Sequence, residues 1–180
     1  MPFILSEVFP VTRVSHRPML IREQKGQPFP ALMIPTVSNN HPNESVTRHL
    51  LAVFEDSFEA SRMIVHSTSW RYESQNDRLL LTYIAVLPQG TWLDQWIAAK
   101  RIALEPIEGT TQQGDQLFPP AQIVWSAALA HALDHLAALN TYDTAIQMVL
   151  EPGWREVLHQ RVPKPAGCLQ RSPPPVVSLR

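Results

Sequence analysis

Three groups of residues in this chain have side chains and spacings that could do chemistry. His131 and His135 stand four apart with Asp134 between them. On a helix, that spacing lets two imidazoles grip one metal ion, with the carboxylate as a ligand or orienter, and Zn²⁺ is the ion such a site would take. It equally describes two surface or half-buried histidines on an alanine-rich back face. No second His pair at that spacing accompanies them, and His66 and His49 are the histidines recruited to complete a site. The second group is Glu55, Asp56 and Glu59. Carboxylates one turn apart on a continuing helix are an ingredient of a Mg²⁺ site, and they are also what a solvated helix end looks like. The third group is His66, Trp70 and Tyr83, with Arg71 turned to the other face or the rim. On one face of a hairpin, these would floor a pocket for a planar ligand that stacks on Trp70 and hydrogen-bonds to His66. The plainer reading of the same cluster is packed core. Gly109-Thr110-Thr111-Gln112-Gln113-Gly114 lacks the Lys and Ser/Thr of a phosphate-cradling loop. There is no G-x-S-x-G and no C-x-x-C, so no catalytic residue is assigned.

The elements that must position these residues are legible in outline. Val65–Tyr72, a polar break Glu73–Arg78, and Leu79–Leu87 read as two strands and a turn. With an even-length loop, His66, Thr68, Trp70 and Tyr72 share a face with Leu79, Leu81, Tyr83, Ala85 and Leu87. Leu80, Thr82, Ile84 and Val86 take the opposite face. A strand apolar on both faces belongs at the centre of a sheet, covered on both sides.

Upstream, Met1–Arg17 reads as an extended arm or a short edge strand. Pro18–Glu23 and Phe29–Val37 read as a second hairpin around Gly26, with Pro30 and Pro35 demoting its second strand to an edge. Asn43 is placed to cap a helix from Glu44 to Asp56 with the stripe Val46, Leu50, Val53 and Phe54, followed by a short helical piece over Phe58–Met63. Downstream, Thr91 opens a helix with Asp94 three residues on, Ile102–Ile107 is extended, and Gly109–Gln116 is a polar loop. Pro119-Pro120 opens a helix from Ala121 to Leu139 with the stripe Trp125, Leu129, Ala132, Leu133, Leu136 and Leu139. That stripe puts His131, Asp134 and His135 on the far side. A shorter helix over Thr141–Leu150 follows, stopped by Glu151-Pro152-Gly153, with one further turn over Trp154–His159.

A chain of 180 residues, 44% of them hydrophobic, can bury a core without disulfides. The expected organisation is one globular domain over residues 1–162 and a proline-rich, polyproline-like tail over 163–180. With 15 Lys+Arg against 16 Asp+Glu and no basic run, nucleic acid is not an expected partner. The single Cys168 and the lack of a signal-like opening segment fit a reducing cytoplasm, and no run is long enough to span a bilayer.

The order of these parts resembles the Nudix hydrolase family. Pro18–Val37 is similar to its opening strands, Asn43-Glu44-Ser45 with the following helix to the Nudix helix, and Trp70-Arg71-Tyr72 through Leu79–Pro88 to its later strand pair. Leu117-Phe118-Pro119-Pro120 leading into a long helix resembles the end of some nucleotide or coenzyme A-cleaving members. The family's box, G-x5-E-x7-R-E-U-x-E-E-x-G-U, gathers magnesium-binding glutamates on one helix. Laid on this chain with Glu55-Asp56 as the E-E pair, it puts Leu51 and Ala52 at R-E and Phe58 at the glycine. The resemblance therefore implies an α/β fold, a mixed sheet flanked by helices in a Nudix-like α/β/α sandwich, that has lost the usual catalysis. It would bind a small molecule or a protein near His66, Trp70 and Tyr83. Two alternatives stand beside it. One is a divalent-metal hydrolase, using Mg²⁺ for Nudix-type nucleotide or diphosphate hydrolysis or a histidine-held metal on the 121–139 helix. The other is a structural homodimer joined through the tail and exposed tryptophans near Trp92 and Trp154.

Overall fold

The computed structural model describes residues 3–23, 32–35, 41–107 and 125–168. At its centre is β5 (Arg78–Val86), paired antiparallel with β4 (Ile64–Glu73) and parallel with β1 (Phe3–Val14). On its other edge β1 carries two antiparallel strands end to end, β3 (Leu32–Pro35) and β2 (Arg17–Glu23). Beyond β2 lies β6 (Ile102–Pro106), and beyond β4 the two-residue β7 (Gly167–Cys168). The mixed sheet runs β6-β2-β1-β5-β4-β7. The apolar ribbon of β5 is covered on both faces as expected: Leu80, Tyr83, Ile84, Ala85 and Val86 are all buried.

Strand alternation divides the core into two layers. Under α1 (Pro42–Val53) and α2 (Thr91–Ala98), Val8, Ile21, Tyr83, Ala85 and Leu87 meet Val46, Leu50, Phe54, Trp92 and Leu93. Under α3 (Trp125–Tyr142) and α5 (Pro152–His159), Phe9, Val11, Leu20, Ile84 and Val86 meet Leu129, Leu133, Leu136, Trp154 and Leu158. The result is a mixed α/β/α sandwich. No helix among the described residues is long and apolar enough to cross a membrane.

The N-terminal segment is a central strand rather than an arm or edge. Val8, Phe9 and Val11 are fully buried, and Pro10 falls in the gap between β3 and β2 along that edge of β1. A residue without an N–H interrupts least where no partner strand is present. The expected hairpin between Pro18–Glu23 and Phe29–Val37 does not form, because a tight turn claims β2 for β1. Ser15 takes the left-handed conformation there, with φ 54°. Gly26 and Pro30, and the loop Gly109–Gln116, lie outside the described residues.

The helices start and stop for identifiable reasons. α1 begins at Pro42, not Glu44, because proline suits the first turn, and His41 rather than Asn43 is the cap residue. α1 ends at Val53, not Asp56, in a Schellman closure: Glu55 N–H donates to Ala52 O at 3.3 Å and Asp56 N–H to Leu51 O at 2.9 Å. The short piece after it is a single 3₁₀ turn, Ala60–Arg62. α3 continues past Asn140 to Tyr142, and α4 (Thr144–Val149) is capped by Asp143, which accepts from the Ala145 and Ile146 N–H groups. α4 ends at Val149, ahead of Glu151-Pro152-Gly153 as expected, and Pro152 also opens α5, which has two turns instead of one.

Trp92 and Trp154 are buried, not exposed. Trp92 donates to Pro88 O at 3.0 Å and meets Phe54 edge-on, and Trp154 lies beneath α3. Neither is available for a homodimer contact. Residues 163–168 of the expected tail lie against the body, where Gly167 and Cys168 pair with Ser69 and Trp70 of β4.

Candidate functional site

The face expected to hold a pocket is divided by a β-bulge. Tyr72 pairs with Leu79, Trp70 with Leu81 and Ser69 with Thr82, but Ser67 then pairs with Tyr83 and His66 with Ile84. Thr68 is the extra residue, and a one-residue slip sends every later side chain to the opposite face. Trp70, Tyr72 and Tyr83 therefore share the α1 face, and His66 joins Arg71 and Ile84 on the α3 face. The expected His66/Trp70/Tyr83 trio does not meet. Trp70 and Tyr72 remain well exposed, at 45% and 38%, whereas Tyr83 is buried and burial pushes its phenol up.

Arg71 points away from Trp70, as expected, but it does not reach the rim. Its guanidinium is buried and grips Glu7 of β1 with two hydrogen bonds, Nη1 to Oε1 at 3.0 Å and Nη2 to Oε2 at 2.5 Å, with Thr82 Oγ1 at 3.5 Å. An arginine held in this fork braces three neighbouring strands and has little left to offer a ligand.

The acidic group does not sit on one helix. Glu55 and Asp56 both occupy the left-handed turn after α1, with φ 52° and 50°, and Glu59 lies beyond it at the mouth of the 3₁₀ turn, accepting from Ser61 Oγ. Arg101 chelates both Glu55 oxygens and lies 4.0 Å over the Trp96 ring. Its hydrogen bonds hold the Glu55 carboxyl below the usual range.

The α3 group is also placed differently from the expected back face. Asp134 and His135 are 2% and 6% exposed, because residues 161–168 cross that side of the helix. Asp134 accepts from Arg161 Nη1 at 3.0 Å and pairs with Lys164 Nζ at 3.1 Å, so its charge is already committed. His135 Nδ1 lies 3.0 Å from Lys164 O, and His66 Nδ1 2.8 Å from Ser67 O. Their rings are 5.3 Å apart, tilted by 51°. His131 bonds the Thr68 backbone at the bulge, and burial draws both His131 and His135 below the ordinary imidazole value. Among the described residues, no three His, Cys, Asp or Glu side chains are placed to hold a metal ion.

Along the outer side of α1, Asn43, Glu44, Thr47, Arg48 and Leu51 line an open groove of about 370 Å³. Reading the sequence for metal ligands alone passed over it. The signal was present in the i, i+4, i+8 spacing of Asn43, Thr47 and Leu51, which puts them on one ridge.

This layer order, the position of α1 and the mixed sheet define a Nudix-like fold. The chain superposes on the crystal structure of a MutT/nudix family protein from Enterococcus faecalis with a TM-score of 0.53 and 12% identity, covering 87% of this chain and 73% of that one. It superposes on the crystal structure of Shewanella oneidensis NrtR with a TM-score of 0.56 and 13% identity, covering 89% and 79%. No family model and no curated protein matches the sequence.

The closure of α1 also corrects how the family box lies on the chain. A box glycine just past a helix belongs at the left-handed C′ position, and here that residue is Glu55. Arg48-His49-Leu50 then fall on R-E-U, and Ala52-Val53 on the E-E pair, in place of the earlier alignment with Glu55-Asp56 there. An alanine and a valine offer no oxygen to Mg²⁺, so the box residues of this chain do not fit the metal.

Proposed function

We propose that this protein is a Nudix-like module that binds a small molecule without hydrolysing it. The observation that carries this reading is the composition of α1. The adjacent E-E positions of the box are Ala52 and Val53 and its R-E glutamate is His49, while Arg48, Thr47 and Asn43 remain along an open groove on the same helix. A groove that sets Arg48 beside the Glu44 carboxylate and neutral hydrogen-bonding groups suits a strongly polar ligand carrying both donors and acceptors. The exposed Trp70 and Tyr72, on the same face of the sheet as α1, offer ring surfaces for a planar group.

Titration of the purified protein with nucleotides and sugar nucleotides, followed by tryptophan fluorescence, tests it. Saturable binding that Arg48→Ala weakens on the order of tenfold supports the reading. Silence across the panel ends it. Release of phosphate or pyrophosphate from any bound compound with Mg²⁺ or Mn²⁺, or stoichiometric metal by elemental analysis, would instead establish a divalent-metal hydrolase.

A further inference from the structure

Residues 161–168 leave α5, cross the side of α3 and end against the edge of β4. What fastens them is almost entirely titratable or charged. Lys164 contributes three links to α3: its N–H donates to Asp134 O at 3.1 Å, its ammonium pairs with the Asp134 carboxylate at 3.1 Å, and its carbonyl meets His135 Nδ1 at 3.0 Å. Arg161 adds a contact to Asp134 Oδ1 at 3.0 Å and a longer one, at 3.4 Å, to Ala130 O. Behind His135 are His66 on β4, with its ring 5.3 Å away, and His131 one turn back, bonded to the bulge at Thr68.

We propose that this cluster is an acid-sensitive latch: protonation of His131 and His135 releases residues 161–168 from α3 and uncovers the β4 edge at Ser69 and Trp70.

The hydrogen bonds fix where the next proton must go. A carbonyl oxygen only accepts, so His135 donates through Nδ1 to Lys164 O, and His66 donates through Nδ1 to Ser67 O. In His131 and His135, the remaining nitrogen, Nε2, is buried with no partner among the described residues. A proton added there makes a buried N–H with no acceptor, on a ring that has just become a cation.

The surroundings do not compensate. From α3 the cluster faces the single carboxylate Asp134, already shared by Arg161 and Lys164 of the crossing segment. From β4 it faces His66, and further along the same face Arg71, whose charge is matched by Glu7 of β1. Two new imidazolium charges would therefore join two existing cations around one carboxylate. Burial is the main cause that lowers the affinity of both rings for protons in the closed form, joined by the Lys164 and His135 charges at His131 and by His66 at His135. Asp134 and the backbone hydrogen bonds to Thr68 and Lys164 oppose this without reversing it. The closed form is fully favoured above the ordinary imidazole value of 6.5 and loses ground as pH falls below it.

The crossing segment gives way first because it has the least else to hold it. Val162 is 64% exposed, and among the described residues the segment reaches no ladder but the two-residue pairing of Gly167 and Cys168. Opening it frees the backbone edge of β4 at Ser69 and Trp70 and leaves the Trp70 ring as exposed as before, so the latch does not depend on the binding proposed above.

Hydrogen exchange of the full chain, measured at about pH 7.5 and about pH 5.5 and corrected for intrinsic rates, tests the inference. The expected result is a loss of protection on the order of tenfold, confined to residues 161–168 and the edge of β4, with β5 unchanged. The double variant His131→Gln/His135→Gln should keep its protection at the lower pH, because glutamine can still donate to the Lys164 carbonyl and does not titrate. Equal protection of 161–168 in the wild type at both pH values overturns the proposal, as does an unchanged pH response in the double variant. Should that variant fail to fold, imidazole NMR titration of the wild type decides: both rings titrating below the ordinary value sustains the latch, and either one titrating at or above it overturns the latch.

Discussion

Helices α1 and α3 cover opposite faces of one sheet, and they differ in what they bury. The inner side of α1 is purely apolar, Val46 and Leu50 with Phe54 just past its end. α3 adds to its apolar stripe the cluster His131, Asp134 and His135, of which Asp134 and His135 are buried. Position in the fold and chemical endowment are therefore separable. A helix at the right place can be chemically plain, and a charged cluster can serve attachment instead of turnover.

Breaking α3 at its charge gives the largest expected effect. Asp134→Ala leaves Arg161, almost wholly buried, without its counter-ion, and should cost about 3–5 kcal/mol in urea denaturation. Leu50→Ala, at a fully buried apolar position of α1, should cost about 2–5 kcal/mol through the cavity it leaves. Similar totals would sharpen the contrast, since one variant loses a buried charge pair and the other only packing.

The third test uses pH. Because burial holds His131 and His135 below the ordinary value, stability should be highest above pH 6.5 and fall as acid is added. Thermal melts of the wild type and the His131→Gln/His135→Gln variant across that range check the sign.

The smallest effects belong to α1. Glu55→Gly relieves a left-handed non-glycine residue at the cost of an exposed pairing with Arg101, so Tm should rise by roughly 1–3 °C. Arg48→Ala, exposed along the groove, should leave stability within about 0.5 kcal/mol of wild type, which makes it a clean binding probe.

How much of this was legible in the sequence follows from how local each cause is. β5 could be read because its own residues are apolar on both faces, and α3 because its stripe repeats over four turns. The bulge at Thr68 could not be read: Ser67, Thr68 and Ser69 are all small and polar, and nothing local says which of them is the extra one. That single residue separated His66 from Trp70. The burial of Asp134 was hidden for the opposite reason, since its partners Arg161 and Lys164 are distant in sequence and sit where prolines suggest a free tail. In β1, Pro10 hid a strand whose parallel partner lies far along the chain. The end of α1 at Val53 was missed because Glu55 takes the left-handed position after it, and without a glycine the stop leaves no mark in the sequence.

The parallel pairing of β1 with β5 has a kinetic consequence. Thr12 reaches Leu87 across 75 residues of chain, so the middle of the sheet cannot zip until that long loop has closed. β1 and β2, joined by their tight turn, can pair early and then wait with one strand edge bare. Refolding from denaturant will therefore be slow for a chain of this size, and its yield will drop as protein concentration rises, because a second molecule can occupy that edge before β5 arrives.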